Sequence, residues 1–344
     1  MNTDLLKELC QAPAIPGREQ VLIDLMMREL RKTCDKVEVD DIGNVLGFRK
    51  GSKPGARKVM IAAHMDEIGF VVSHIDKNGF LRFSPRGGHV PRVLISQRVK
   101  VLGRRALIGV VEGAPPFLKR EDMQKTPEIK DLFIDTGLPE KEVRKYVDVG
   151  DVIVLDRDFV EQGDICMAKA FDDRVGCYVV LETMKRLKRS AVDVYAVGTT
   201  QEEVGVRGAF TASRGIAPDI GIALDVTAAF DVPGVAEHQQ VSQLGNGVAI
   251  KIADASSISN HGIVKCLQGL ARKHRIKHQF EILPFGGTDA MAMQRHGNGA
   301  VCTLSVPTRY VHSPNEIIHK KDLEATIALL VRFIEASEGC KLAF

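Results

Sequence analysis

Short apolar runs that stop at a histidine or a carboxylate recur along this chain, and they constrain its fold more than any other feature. "KVMIAA" (58–63) runs into His64 and Asp66. "VYAVGTT" (194–200) leads to Glu202 and Glu203, "DIGIAL" (219–224) ends at Asp225, and "AVCTLSV" (300–306) leads to His312. Apolar runs of this length suit central strands covered on both faces. Helical patterns lie between them. "REQVLIDLMMRELRK" (18–32) places Val21, Ile23, Leu25, Met26 and Leu30 on a helical period behind a Pro-Gly breaker. A long helix is expected from Asp172 to about Arg189, another in "SSISNHGIVKCLQGLARKH" (256–274), and a closing amphipathic one in "KKDLEATIALLVRFIEAS" (320–337). Strands alternating with helices predict an α/β fold with a mostly parallel sheet flanked by helices.

The texture changes between Ile68 and Gly163. "FVVSHI", "FLRFS", "RVKVL" and "LIGVVEG" alternate and are separated by Gly and Pro turns, and "PEKEVRKYVDVGDVIVL" adds a short helix and a further strand. This predicts a β-rich piece, residues 68–163, inserted into an α/β domain made of residues 1–67 and 164–344.

Composition narrows the function classes. Hydrophobic content of 44% and charged content of 26% allow an ordinary core. A net charge of +3, scattered along the chain, argues against a nucleic-acid partner. No apolar run nears the roughly 20 residues of a membrane span, and the charged N-terminal pattern is unlike a signal peptide. Seven cysteines without a CxxC pair predict free thiols in a reducing compartment, hence a cytoplasmic address.

In an open α/β sheet, chemistry gathers beyond the carboxyl ends of the strands. Each polar residue there has a plain reading when taken alone. His64 could be a core histidine, Asp172 and Asp173 could cap a helix, and Glu202 and Glu203 could sit in a solvated loop. Taken together, five segments deliver carboxylates or imidazoles to one sheet edge. Such acids repel and desolvate one another unless a cation sits among them. Histidines with several Asp and Glu suit Zn2+, Co2+ or Mn2+, and the set is large enough for two ions sharing a carboxylate. A two-ion centre is a hydrolytic device that activates water and stabilises an oxyanion. Residues i and i+2 of extended chain face the same way, so Asp66 is expected behind the His64 ring. Adjacent Glu202 and Glu203 must diverge, one towards metal and the other free as a general base. Glu67, on the alternate face, is not expected to touch metal.

The motifs "AAHMDEIGF", "AFDDRVG", "TTQEEVGVRGA", "ALDVT", "PFGGTDA" and "YVHSPNE" resemble those of the M42 metallo-aminopeptidases, the tetrahedral and deblocking aminopeptidases, in order and across nearly the whole chain. The resemblance implies two divalent metals per subunit bridged by Asp172. His64 and Asp225 would complete one site, and Glu203 and His312 the other. It implies Glu202 as general base, Asp66 behind the histidine ligand, and Thr288 and Asp289 near the substrate. It also implies peptide substrates, and a homo-oligomer in which dimers built through the inserted domain assemble into a dodecamer. The alternatives are a related dinuclear metallohydrolase, such as a carboxypeptidase or N-deacylase, and a glycosidase using Glu202 and Glu203. The glycosidase fits poorly, because diverging neighbours do not flank one bond.

Overall fold

The computed structural model describes residues 3–114, 127–297 and 300–342. Two helices open the chain, α1 (Thr3–Gln11) and α2 (Gln20–Leu30), followed by strands β1 (Lys36–Val39), β2 (Val45–Arg49) and β3 (Lys58–His64). Next come β4 (Gly69–Ile75), β5 (Leu81–Arg86), β6 (Arg98–Leu102), β7 (Ala106–Glu112), β8 (Phe133–Asp135), the short α3 (Glu140–Val143) and β9 (Val152–Leu155). The chain returns through β10 (Val160–Gln162), β11 (Ile165–Ala168), α4 (Phe171–Arg186), β12 (Asp193–Thr199), α5 (Arg207–Ile216) and β13 (Ile220–Ala228). It ends with β14 (Val248–Ala253), α6 (His261–Lys273), β15 (His278–Ile282), α7 (Ala290–His296), β16 (Ala300–Arg309), β17 (Glu316–His319) and α8 (Lys320–Ala336).

The main sheet runs β1-β2-β12-β3-β13-β16-β17-β11-β10, with β14 and β15 branching from β16. Its centre, β12-β3-β13-β16, is parallel. The flanking strands β1, β2, β17, β11 and β10 pair antiparallel, and β14 joins β16 antiparallel while β15 runs parallel to β14, so the sheet as a whole is mixed. The run 58–64 shows why the centre is buried on both sides. Val59, Ile61 and Ala63 pack into one apolar cluster with α1, α2, α4, α6 and α8. Met60 and Ala62 enter a second cluster with α5 and α7 on the opposite face. Period-2 alternation thus feeds two helical layers from one strand.

Strands β4-β5-β8-β7-β6-β9 close into a small barrel. In β6, Val99 and Val101 are buried and Arg98 and Lys100 exposed, as alternation in "RVKVL" predicts. Phe70, Phe83, Val111, Ile134 and Ile153 fill the interior with them.

The structure departs from the sequence expectation in a few places. α4 ends at Arg186, where Leu187 turns to extended backbone. Helix α5 and strands β8, β10, β11, β14 and β17 have no counterpart in the sequence expectation. The cysteines are not all free: Cys266 in α6 and Cys340 after α8 form a disulfide across 74 residues of sequence. Spacing rules cannot see a pair that exists only because α6 packs against α8. Cys10, Cys34, Cys166, Cys177 and Cys302 are free thiols. No helix among the described residues is long and apolar enough to cross a membrane.

Candidate active site

His64 is the last residue of β3 and is almost fully buried. Its Nε2 lies 3.0 Å from Asp172 Oδ1. Its main-chain amide donates to Asp173 Oδ2 at 3.2 Å. The Nδ1 atom lies 2.9 Å from the main-chain oxygen of Asp66 and 3.6 Å from that residue's carboxylate. Asp66 therefore holds the ring mainly through its carbonyl, and its carboxylate does something the sequence does not suggest. Oδ1 accepts from the amide of Glu202 (3.0 Å) and Oδ2 from the amide of Glu203 (3.1 Å). One buried carboxylate thus pins the loop that carries both glutamates.

Asp172 and Asp173 start α4 and are joined by a cis peptide. Asp172 Oδ2 lies 3.2 Å from His312 Nε2, and the same nitrogen lies 3.2 Å from Glu203 Oε1. Asp173 also accepts from the Gly176 amide at 3.0 Å. A Cβ at position 176 would collide with the Asp173 carboxylate, so this glycine is required by close approach. Asp225, near the end of β13, accepts from its neighbour's amide at 2.7 Å. Backbone strain concentrates here: Ala170, Gln201, Tyr310 and His312 all have φ between 55° and 61°.

Two sets of donors converge. Ligating atoms of His64, Asp173 and Asp225 lie within 4.8 Å of one another, as do those of His64, Asp172 and Glu203. Glu202 belongs to neither set. One imidazole nitrogen, on His312, faces two carboxylate oxygens at once. That concentration of lone pairs fits divalent cations in chemistry and number of donors.

The electrostatics point the same way. Burial pushes the carboxyls of Asp173, Glu202 and Asp225 well above the ordinary range, and neighbouring carboxylates add to the shift. Glu203 is raised too, chiefly by burial. Burial also opposes ionisation of Asp172, but the His312 and His64 imidazoles outweigh it and hold this carboxyl below its usual range. Acids crowded at such cost are what a cation would relieve.

Every proposed ligand lines one cavity of about 650 Å3, together with Glu202 and Thr288. Asp289 does not line it. Asp289 is buried, accepts from the Thr199 hydroxyl at 2.6 Å, and so braces the strand that leads to Glu202. Glu67 stays out of the cluster, paired with Lys169 (2.6 Å) and Arg174 (3.3 Å).

Two contributors escaped the sequence reading. Glu316, on β17, accepts from the amides of His312 (2.8 Å) and Asp172 (3.1 Å) and so joins two segments that carry candidate ligands. Its place in "HSPNE" was the available signal. The turn after β5 also reaches in: Gly87 lies against Glu203, Gly88 against His312, and Val90 lines the cavity.

Residues 43–329 match the M42 glutamyl aminopeptidase family. The lysyl aminopeptidase of Pyrococcus furiosus is 35% identical over 97% of this chain and 97% of its own length. The structure of an aminopeptidase from the archaeon Desulfurococcus kamchatkensis superposes with a TM-score of 0.93 at 44% identity, covering 96% of this chain and 94% of that one. The TET1 peptidase of Pyrococcus horikoshii, described as assembling into a tetrahedron or a large octahedral shell, gives a TM-score of 0.85 at 31% identity, covering 96% and 98% of the two chains. Family match, fold and whole-chain relatives agree, and the chain belongs to the M42 family of aminopeptidases.

Proposed function

We propose that this enzyme releases N-terminal residues from peptides with two divalent cations, Zn2+ or Co2+ in preference to Mn2+. His64, Asp172 and Asp225 would hold one cation, and Asp172, Glu203 and His312 the other. Asp173, which also converges on the first set, serves instead to fix the His64 amide. When bound, such cations polarise the scissile carbonyl and lower the pKa of water.

The chain's own residues carry the rest. Glu202 takes a proton from the attacking water and later gives it to the leaving amine. Asp66 keeps Glu202 and Glu203 apart by gripping both amides. Thr288, hydrogen-bonded to Thr303 at 3.0 Å, forms part of the substrate wall, and Asp289 acts behind it. The observation that carries this reading is the convergence of two imidazoles and the acids of three strand or helix ends on one cavity.

In this reading, residues 1–67 and 164–344 form the catalytic domain and residues 68–163 an inserted dimerisation domain, with dimers building a dodecamer. At the end of the inserted range, β10 (Val160–Gln162) already pairs with β11 in the main sheet, and the barrel itself ends with β9 at Leu155. The described assembly of the Pyrococcus horikoshii relative supports that view. A cytoplasmic location accords with peptide turnover. The test compares free and N-acetylated aminoacyl-anilides on chelator-stripped and re-metallated protein. Loss on stripping, recovery with metal and rejection of blocked substrates are expected. Activity indifferent to chelation, or directed at blocked substrates, would overturn the reading.

A further inference from the structure

The cavity beside the acid and imidazole cluster changes character along its length. Away from the cluster its wall is built by Phe230, Val232, Leu283, Phe285, Tyr310 and Val311. The Phe230 and Phe285 rings lie 6.3 Å apart at 34°, forming one apolar corner. Outside the cluster, Lys251 is the one charged residue among the described residues lining this space. It is 1% exposed, and its ammonium sits 3.1 Å from Glu281 and 3.2 Å from Asp254. Its charge is already met by two carboxylates, so no unpaired charge of either sign faces this end of the cavity.

We propose that this apolar end receives the side chain of the substrate's N-terminal residue and selects leucine- to phenylalanine-sized apolar side chains, an inference that rests on the aminopeptidase reading above. A Lys or Glu side chain entering there would lose water and gain no counter-charge. An alanine would leave the wall uncovered. Leucine or phenylalanine excludes water from the wall without stranding a polar group. The cavity of about 650 Å3 has room for such a side chain with adjoining peptide backbone.

The test measures kcat/KM of the metal-loaded enzyme on Leu-, Phe-, Ala-, Lys- and Glu-anilides. Leu or Phe is expected to exceed Ala, Lys and Glu by about tenfold or more. Highest turnover on Lys or Glu, or equal turnover on Ala and Leu, overturns the inference. Phe285 is half exposed, so Phe285→Asp spares the core. This variant should lower Leu and Phe turnover by about tenfold and raise the Lys to Leu ratio. An unchanged ratio overturns the inference, since a carboxylate in the apolar corner would then leave selection untouched. Failure to hydrolyse any anilide would count against the aminopeptidase reading itself. The pocket is then judged by calorimetric titration with the α-amides of leucine, lysine and glutamate. Tightest binding of leucinamide supports the inference, and tightest binding of either charged amide refutes it.

Discussion

Glu202 and Glu203 are identical neighbours placed in different surroundings, which is why different roles are proposed for them. Glu203 shares the His312 nitrogen with Asp172, whereas Glu202 stands outside both donor sets. Glu202→Gln is therefore expected to retain both metals by elemental analysis while kcat falls roughly 10²–10⁴-fold. Near-normal turnover would remove it as the base. Asp172→Ala should instead lose metal, because both proposed sites draw on that one carboxylate. At this scale much was legible in the sequence: strand ends announced His64, Glu203 and Asp225, and the i+2 rule placed Asp66 beside His64. The rule could not say that the Asp66 carboxylate binds amides 136 and 137 residues away. Nor could it show that Asp289, next to the cavity-lining Thr288, bonds Thr199, 90 residues off.

Elements position these side chains, and two of them make testable demands. The first turn of α4 leaves no room for a side chain at Gly176. Gly176→Ala should displace Asp173, loosen its hold on the His64 amide, and weaken metal binding in a competition titration with a chelating dye. In the turn after β5, His89 stacks on Phe70 of the barrel at 4.1 Å, with Nε2 3.0 Å from the Gly69 carbonyl. Burial pushes its pKa from 6.5 down to about 4. Between those values the unfolded chain binds the proton more readily, so stability falls as pH drops through that window and is retained above it. The loss amounts to about 3 kcal/mol at the acid end. Denaturant midpoints at about pH 4.5 and 7.5 should converge in His89→Gln relative to the parent; an equal gap in both would discard the assignment. Elements with clear periodicity, such as α8 and β6, were readable in advance. Helix α5 carries a signal as well: Ala209, Ala212, Ser213 and Ile216 form a buried face at helical spacing, but two glycines in "RGAFTASRGI" read as breakers. Strand β17 reads as a loop because its four residues gain their place only by pairing with β11 and β16.

Across the whole molecule, the parallel centre and the inserted barrel followed from alternation, but closure of the barrel and the antiparallel flanks depend on long-range pairing that no local pattern records. The Cys266–Cys340 bond belongs to the same category. Cys340→Ser is expected to cost about 2–4 kcal/mol in chemical denaturation, and the parent should show the same loss under reductant. Equal stability of parent and variant in oxidising buffer would mean that the bond contributes nothing.

The proposed ligand set spans His64 to His312, drawn from strand ends and loops that meet only when the central sheet is complete. A cation can find such a place only after the chain has finished folding. Added metal should accordingly leave the refolding rate untouched and slow the unfolding rate, so that loading acts as a latch closed last and opened first.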